Sequence, residues 1–310
     1  MRRFAMFFFS TSAVLAALSA FAAAADEVAS KAGDVLIVVR PTALQRATNS
    51  RPLTPGTSLI VVADDGRAVE QIGTHGILVL AGCVGRVDRA AVIPLAEAND
   101  YFTAAIEKNP ADATALLGRG KVWFHFNNVD KTIPDLDESL RLAPNSEALT
   151  IRGWAWKRKG DKAKAMADFD EAIRLDPHNA LAWRVRGATW AGKGDYPQAL
   201  AQYTESIRLD PENPDSLLHR ANLLAACNDA AIRNGEQAVA DATRACELSE
   251  WKSPLYLGTL SVACAERGDF AAALKWNAKA MEMATPEHRG YLTEHRQLFE
   301  NKQPKRMTWK

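Results

Sequence analysis

Two segments of the chain, FDEAIRLDPHNALAWRVRGATW at 169–190 and YTESIRLDPENPDSLLHRANLL at 203–224, begin 34 residues apart. Both contain Ile-Arg-Leu-Asp-Pro at the same offset. Spacings of 34, 33 and 34 residues separate four prolines: Pro110, Pro144, Pro177 and Pro211. A fixed period in this range is typical of arrays in which every repeat is one supersecondary unit. The sequence therefore predicts a stack of similar units.

Each unit begins with a large residue, a glycine and a tryptophan at helical spacing. Trp183, Gly187 and Trp190 are four and three positions apart, which places them on one face of a helix. Two other units repeat the pattern, at Leu116, Gly120 and Trp123 and at Leu149, Gly153 and Trp156. Glycine inside a helix costs about 1 kcal/mol relative to alanine. Its recurrence predicts that a neighbouring helix approaches the backbone at this position.

Each unit ends with a second helical pattern, in which small residues flank a bulky one. Ala165, Phe169 and Ala172 lie twelve, eight and five positions before Pro177. The matching positions of the next unit hold Ala199, Tyr203 and Ser206. Between the two patterns, the sequence KGD at 159–161 indicates a turn, because glycine suits the left-handed residue that ends a helix. We therefore predict that each unit is a helix–turn–helix hairpin.

These hairpins resemble the tetratricopeptide repeat. That family's pattern has a bulky residue, glycine or alanine and an aromatic in its first helix, then alanine, an aromatic, alanine and proline in its second. The resemblance is closest over 116–211 and implies a mostly α-helical solenoid at 96–286, with a capping helix at 287–302 and a tail at 303–310. It divides the solenoid into a half repeat at 96–112 and repeats at 113–145, 146–179, 180–213, 214–253 and 254–286.

The segment at 31–95 has a different pattern, of short apolar runs separated by turn residues. The runs are Val35–Val39, Ser58–Val62, Ile77–Leu80 and Ala91–Leu95. Asp64–Gly66 is a strong hairpin signal between two of them. We predict a small barrel of five or six strands. Its last segment, GRVDRAAVIPL at 85–95, resembles the end of bacterial SH3-like domains, although Arg86 stands where an aromatic is usual.

The first 25 residues have the pattern of a secretory signal peptide. Arg2 and Arg3 precede an apolar run at 4–21, and the small residues Ala23 and Ala25 follow it. Cleavage there predicts an exported protein, periplasmic or extracellular, without a transmembrane span. The alternative is an uncleaved segment that anchors the chain to a membrane. The whole chain resembles exported bacterial proteins that join an SH3-like domain to tetratricopeptide repeats, which implies an adaptor.

The sequence contains no recognisable catalytic or cofactor-binding motif. The motifs GxSxG, GxGxxG, HExxH and the phosphate-binding loop are absent. We therefore predict no enzyme activity, no cofactor and no metal, and we interpret the six histidines as surface residues. The formal net charge of +1 gives no electrostatic argument for nucleic acid. Close acidic pairs, such as Asp135 with Asp137 and Asp168 with Asp170, are interpreted as solvated charges.

Four cysteines, Cys83, Cys227, Cys246 and Cys264, are too few for a disulfide-built scaffold. Export would permit a bridge. Helix geometry separates Cys227 from Cys246 by about 15 Å, and a disulfide needs Cα atoms within about 7 Å. We predict free, buried thiols and leave a disulfide as the alternative.

In this family the first helices of the repeats line a concave groove, and this implies a binding site. The lining positions here include five candidate contact residues: Lys121, Trp154, Lys157, Arg184 and Asn222. Trp154 lies beside the core stripe, and aromatic and arginine residues are typical binding anchors. Basic residues favour an acidic side chain or a carboxylate terminus. The alternative is that Trp154 packs on the adjacent helix and the charges are solvated.

Arginine recurs at one position of four successive repeats: Arg119, Arg152, Arg186 and Arg220. We predict a structural role, in which each aliphatic stem packs between helices while the charged end meets water or an acid. Glu138, Glu171 and Glu205 recur in step with the arginines. A binding surface is the alternative.

The function predicted from these features is a non-enzymatic scaffold that binds a peptide or partner protein in the groove. The alternative function is binding of cell-wall material (peptidoglycan) by the SH3-like domain, with the repeats as spacer or oligomerisation module.

Overall fold

A computed structural model describes the backbone at 35–38, 42–45, 50–53, 58–64, 68–72, 84–88 and 92–307, and side-chain burial from 97 to 307 except at 287 and 288. The signal peptide and the run Ile77–Leu80 lie outside these residues. The strands are β1 Val35–Val38, β2 Thr42–Gln45, β3 Ser50–Leu53, β4 Ser58–Asp64, β5 Ala68–Ile72, β6 Val84–Asp88 and β7 Val92–Pro94.

The strands pair into one antiparallel sheet, in the order β3-β2-β6-β5-β4-β1-β7. β4 and β5 flank the predicted turn at Asp64–Gly66 and pair with each other. Over the described residues the sheet has seven strands, where the sequence predicts five or six; β2 and β3 form a hairpin that the sequence pattern did not indicate.

The rest of the described chain is helical, as predicted. The helices are α1 Leu95–Lys108, α2 Ala113–His125, α3 Val129–Leu142, α4 Ser146–Arg158, α5 Lys162–Leu175, α6 Ala180–Ala191, α7 Tyr196–Leu209, α8 Pro214–Ala226, α9 Gly235–Leu248, α10 Pro254–Glu266, α11 Phe270–Met283 and α12 Pro286–Glu300. From α2 onward they form hairpins, each with a first helix (α2, α4, α6, α8, α10) and a second helix (α3, α5, α7, α9, α11). Among the described residues, no helix has the length and apolar character to cross a bilayer.

The recurring glycines mark the points where the two helices of a hairpin touch, as the sequence predicts. A Cβ atom on Gly153 would lie 2.6 Å from Cε1 of Phe169, whose ring is fully buried against α4. On Gly187, it would lie 2.9 Å from the ring of Tyr203 in α7. Real Cβ atoms do not approach other atoms so closely, so any side chain here would force the helices apart.

The turns within the hairpins follow the predicted chemistry. Gly160, Gly194 and Gly268 have φ angles of 87°, 82° and 88°, in the left-handed region that glycine adopts without strain. The next residue is an aspartate that caps the second helix; the Oδ1 of Asp161 accepts from the Lys164 backbone N–H at 3.0 Å. One short sequence, Gly-Asp, therefore ends one helix and begins the next.

The four recurring arginines form a ladder inside the hairpins. The Arg119 guanidinium donates to both carboxylate oxygens of Asp135, at 2.8 and 2.7 Å, and Arg152 binds Asp168 in the same way at 3.0 and 2.6 Å. Arg220 binds Asp241 at 2.7 and 2.8 Å. We call these four residues and their partners the arginine ladder; in its third rung, Arg186 donates twice to the amide oxygen of Gln202.

The ladder confirms a structural role for the arginines and corrects the identity of their partners. Glu171 does not bind a ladder arginine; its carboxylate accepts from Arg174, three positions further along the same helix. Glu138 and Glu205 likewise each accept from an arginine three positions later in their own helices. The interpretation of Asp135 and Asp168 as solvated charges was wrong, since they are 8% and 7% exposed. The partner lies sixteen residues after the first three arginines and 21 residues after Arg220, and it reaches the arginine because the second helix folds back alongside the first.

The fourth hairpin departs from the others through its insertion. The chain leaves α8 at Cys227 and re-enters the regular pattern at Asn234, whose backbone N–H donates to the Leu224 carbonyl at 2.9 Å. Cys227, Cys246 and Cys264 are buried and free, as predicted; Cys83 lies outside the described residues. Cys246 and Cys264 share one core cluster, and burial raises their pKa values to about 12 and about 11.

Candidate functional site

The first helices form one continuous side of the array, because successive first helices contact one another directly. We call this side the groove. Along it, many lining residues are buried: Leu117, Lys121, Phe124, Thr150, Arg184, Ala191, Asp215, Leu218 and Ala225. Others are partly exposed: Glu147, Trp154, Lys157, Leu181, Ala188 and Asn222. The five predicted contact residues therefore fall into two groups, since Lys121 and Arg184 are buried while the other three are partly exposed.

Lys121 joins α2 to α4. Its Nζ lies 2.7 Å from Oε1 of Glu147, and its side chain is 1% exposed. Burial lowers the pKa of Lys121, and the Glu147 carboxylate partly opposes this effect. A lysine that is buried against an acid of the next repeat acts chiefly as an inter-repeat contact.

Arg184 joins α6 to α8 in a similar way, but less completely. Its Nη1 lies 3.7 Å from Oδ2 of Asp215, and Oδ1 of the same carboxylate accepts from the Tyr256 hydroxyl at 3.0 Å. Arg184 is 4% exposed. Its Nε atom is buried and has no hydrogen-bond partner among the described residues. A buried donor without a partner carries an energetic cost.

Lys157 is the predicted cation that lacks an acidic partner within the described residues. Burial, followed by the charge of Lys162, lowers its pKa to about 8. The nearby ring of His219 stacks on Tyr203, with ring centroids 5.5 Å apart. Burial, then the positive charges of Arg184 and Lys157, lower the pKa of His219 to about 3. Burial and two cations thus keep the His219 imidazole neutral, and this part of the groove carries an excess of positive charge.

Trp154 and Asn222 flank this positive region. Trp154 packs between hairpins, with its ring 6.2 Å from that of Phe124, and remains partly exposed. Asn222 donates through Nδ2 to Oγ1 of Thr259 in α10, at 3.3 Å. The tryptophan therefore packs on the adjacent repeat and also keeps a surface in the groove.

Lys157 and Arg184 both lie close enough to His219 to lower its pKa, and Trp154 lies three residues before Lys157 on α4. Lys121 makes a separate contact with Glu147. Sequence reasoning missed His219, which is partly buried rather than on the surface, and it missed the neutralising role of Asp215 and Glu147. Both acids occupy lining positions, so their spacing could have shown that they face the basic residues. Over the described part of the chain, no group of three or more His, Cys, Asp or Glu could hold a metal ion.

Comparison with known proteins supports the repeat interpretation. The tetratricopeptide repeat family matches at 95–147, 130–180, 152–214 and 191–231. No curated protein matches the chain. The family model thus matches the chain from 95 to 231, which includes the first three hairpins.

Solved structures show the same fold. One similar structure is that of the APC/C hetero-tetramer Cut9-Hcn1. Its matching chain is 12% identical to this protein, with a TM-score of 0.59. The match covers 66% of this chain and 39% of the matching chain. PilW, a type IV pilus biogenesis factor, is 20% identical, with a TM-score of 0.54, over 64% of this chain and 90% of its own. Yeast Tom70 is 19% identical to this chain, with a TM-score of 0.53. The match covers 66% of this chain and 43% of Tom70.

Proposed function

We propose that this protein is a non-enzymatic scaffold that binds an acidic peptide or loop of a partner protein in the groove. The observation that carries the proposal is the region of Trp154, Lys157 and Arg184. It combines a cation without an acidic partner in the described chain, a buried guanidinium nitrogen without an acceptor and a partly exposed indole. A carboxylate satisfies the two donors, and an apolar neighbour packs on the indole.

The fold supports a role in protein assembly. Solenoids present an extended surface for partners, since each repeat contacts only its neighbours and leaves one side of the array uncovered. Cut9, which shares the fold, was solved in a hetero-tetramer with Hcn1. The absence of catalytic motifs from the sequence supports a scaffold over an enzyme.

Site-specific photo-crosslinking in cells tests this proposal. A photoreactive residue at Asn222, in the groove, should capture a partner, while the same residue at Arg174, exposed on α5, should not. The variant Lys157→Glu should reduce capture because it reverses the charge that the ligand meets. Equal capture from both positions, or capture that is indifferent to Lys157→Glu, would show that the groove is not the binding site.

We also propose that 31–95 forms an SH3-like domain and that 1–25 directs export. The antiparallel order of the strands and the segment at 85–95 support the first proposal, and the sequence pattern supports the second. Mass spectrometry of the protein from its native host should find an N-terminus after Ala25; an intact Met1 would favour the anchored alternative.

A pull-down on purified peptidoglycan distinguishes the cell-wall alternative, which no observation on the described residues favours.

A further inference from the structure

The chain does not project away from the array after α12. A left-handed residue, Lys302 with φ 53°, ends the helix, and the backbone N–H of Gln303 donates to the Leu298 carbonyl at 2.8 Å. The following residues turn back over the ends of α10 and α8. There the backbone N–H of Met307 donates to the Ala226 carbonyl at 2.7 Å. The predicted tail at 303–310 is thus docked as far as Met307. We call Pro304–Met307 the C-terminal strap.

The strap places a cation among the C-terminal ends of two first helices. Arg306 lies with Nη1 2.6 Å from Oε2 of Glu266, the last residue of α10. The other oxygen of Glu266 accepts from Nε of Arg233, at 2.9 Å, and Arg233 also donates to the Cys227 carbonyl at 3.1 Å. The ends of helices carry unsatisfied carbonyls and partial negative charge, which favour cations and N–H donors.

The surface under the strap also has an apolar part. Met307 packs against the core cluster of the last two hairpins and is partly buried. A helix carbonyl that accepts a main-chain N–H, a carboxylate that is 13% exposed and an adjoining apolar surface together recognise a short extended segment. The chemistry selects arginine followed by an unbranched apolar residue, because the guanidinium reaches Glu266 while the next backbone N–H reaches Ala226.

We propose that Ala226, Glu266 and the adjoining apolar core form a second peptide-binding site, distinct from the groove. It takes an extended arginine–apolar segment, and in this chain the C-terminal strap fills it as a displaceable internal ligand. The ligand class is a basic segment, the opposite of the one proposed for the groove. A partner with an arginine–apolar segment competes with the strap, so binding there releases the C-terminus.

The contacts of the strap are suited to exchange. Arg306 is 36% exposed, and the strap adds one main-chain hydrogen bond and one apolar side chain to that ion pair. Partly exposed ion pairs and single hydrogen bonds contribute modestly to stability. The strap stays bound because it is tethered, which keeps its effective concentration near the site high.

The test uses the full-length chain and a fluorescein-labelled peptide with the sequence of residues 303–310. In Arg306→Glu, the strap is repelled by Glu266 and the site is vacated, so the peptide should bind at least about tenfold more tightly than it binds the wild-type chain. Arg296→Glu makes the same charge change at an exposed pair with Glu300 within α12, away from the strap, and should leave binding at the wild-type level. Equal affinity for wild type and Arg306→Glu would overturn the proposal.

Two further measurements make the result specific. Glu266→Gln, added to Arg306→Glu, should abolish the gain in affinity, whereas a retained gain would show that the peptide binds elsewhere. Hydrogen exchange of the full-length chain should show a protected Met307 amide in the wild type and a fast one in Arg306→Glu. Exchange at the rate of an unstructured peptide in the wild type would show that the strap is not docked, and would also overturn the proposal.

Discussion

The charges inside the hairpins and the charges in the groove follow different rules. In the arginine ladder, each rung repeats the same geometry, and the partner lies sixteen residues after the arginine in three rungs. In the groove, one lysine pairs with the next repeat, Arg184 reaches its acid only at 3.7 Å, and Lys157 has no acidic partner in the described chain. Charges that recur with the repeat join the two helices of one hairpin, whereas charges that break the period join neighbouring repeats, as Lys121 does, or have no acidic partner in the described chain, as Lys157 does.

This difference has a physical origin. A rung joins the two helices of one hairpin, and every hairpin needs the same contact, so the same residues recur. A ligand contacts several repeats at once with different chemical groups, so its site has no reason to repeat. Substitutions that remove ladder charges should therefore affect folding, and substitutions that remove groove charges should affect binding.

The largest expected effect is on the ladder. Asp168→Ala leaves Arg152 half-buried with only the exposed Asp137 as partner, so we expect the free energy of unfolding to fall by about 2–3 kcal/mol. Urea denaturation of the full-length chain measures this. Glu171→Ala removes an exposed pair of the same helix and should change the free energy of unfolding far less than Asp168→Ala does. Equal losses in both variants would remove the distinction between ladder and surface charges.

The next effect concerns the groove. Lys157→Gln keeps the size of the side chain but removes a cation that has no acidic partner among the described residues. We expect about tenfold weaker binding of the captured partner or of an acidic peptide derived from it. Stability should not fall, and should rise somewhat, because burial disfavours the charged lysine in the folded chain. Calorimetric titration and urea denaturation measure the two quantities. A large loss of stability with unchanged binding would assign Lys157 to the scaffold.

A pH titration sharpens the same point. Because the pKa of Lys157 is lowered to about 8, the charged form that binds an acid is present below pH 8 and is lost above it. We expect affinity for the acidic ligand to fall about fivefold between pH 7 and pH 9. Lys157→Arg stays charged and should remove this dependence. The same shift means that the unfolded chain holds the proton up to its ordinary pKa of 10.5, so stability should rise with pH between 8 and 10.5.

The smallest effect is at the one neutral rung of the ladder. Gln202→Glu supplies a carboxylate of the same length to Arg186, and we expect a gain of about 0.5–1 kcal/mol in the free energy of unfolding at low salt. The gain should shrink in high salt, since screening weakens the new pair. A loss of stability would indicate that the cost of burying the charge exceeds the benefit of the pair.

Much of the helical fold follows from local patterns. The spacing of Gly153 and Phe169 predicts the contact between their helices, and Gly160 with Asp161 predicts where the chain turns. These predictions succeed because helix periodicity and turn chemistry act over a few residues. The candidate site was predicted only in part. Lys157 and Trp154 are partly exposed on α4, but the charge around Lys157 depends on Arg184, Asp215 and His219, which belong to other repeats.

The sequence by itself determined that helical hairpins stack in a row. Every hairpin must pack on a neighbour to bury its apolar face, and the apolar positions therefore recur with the repeat. Only the tertiary structure decided which charges are neutralised, since an ion pair depends on distances between residues that lie far apart in the chain. It likewise decided that the last residues fold back onto the array, because the helix ends that receive Arg306 and Met307 exist only after the hairpins have packed.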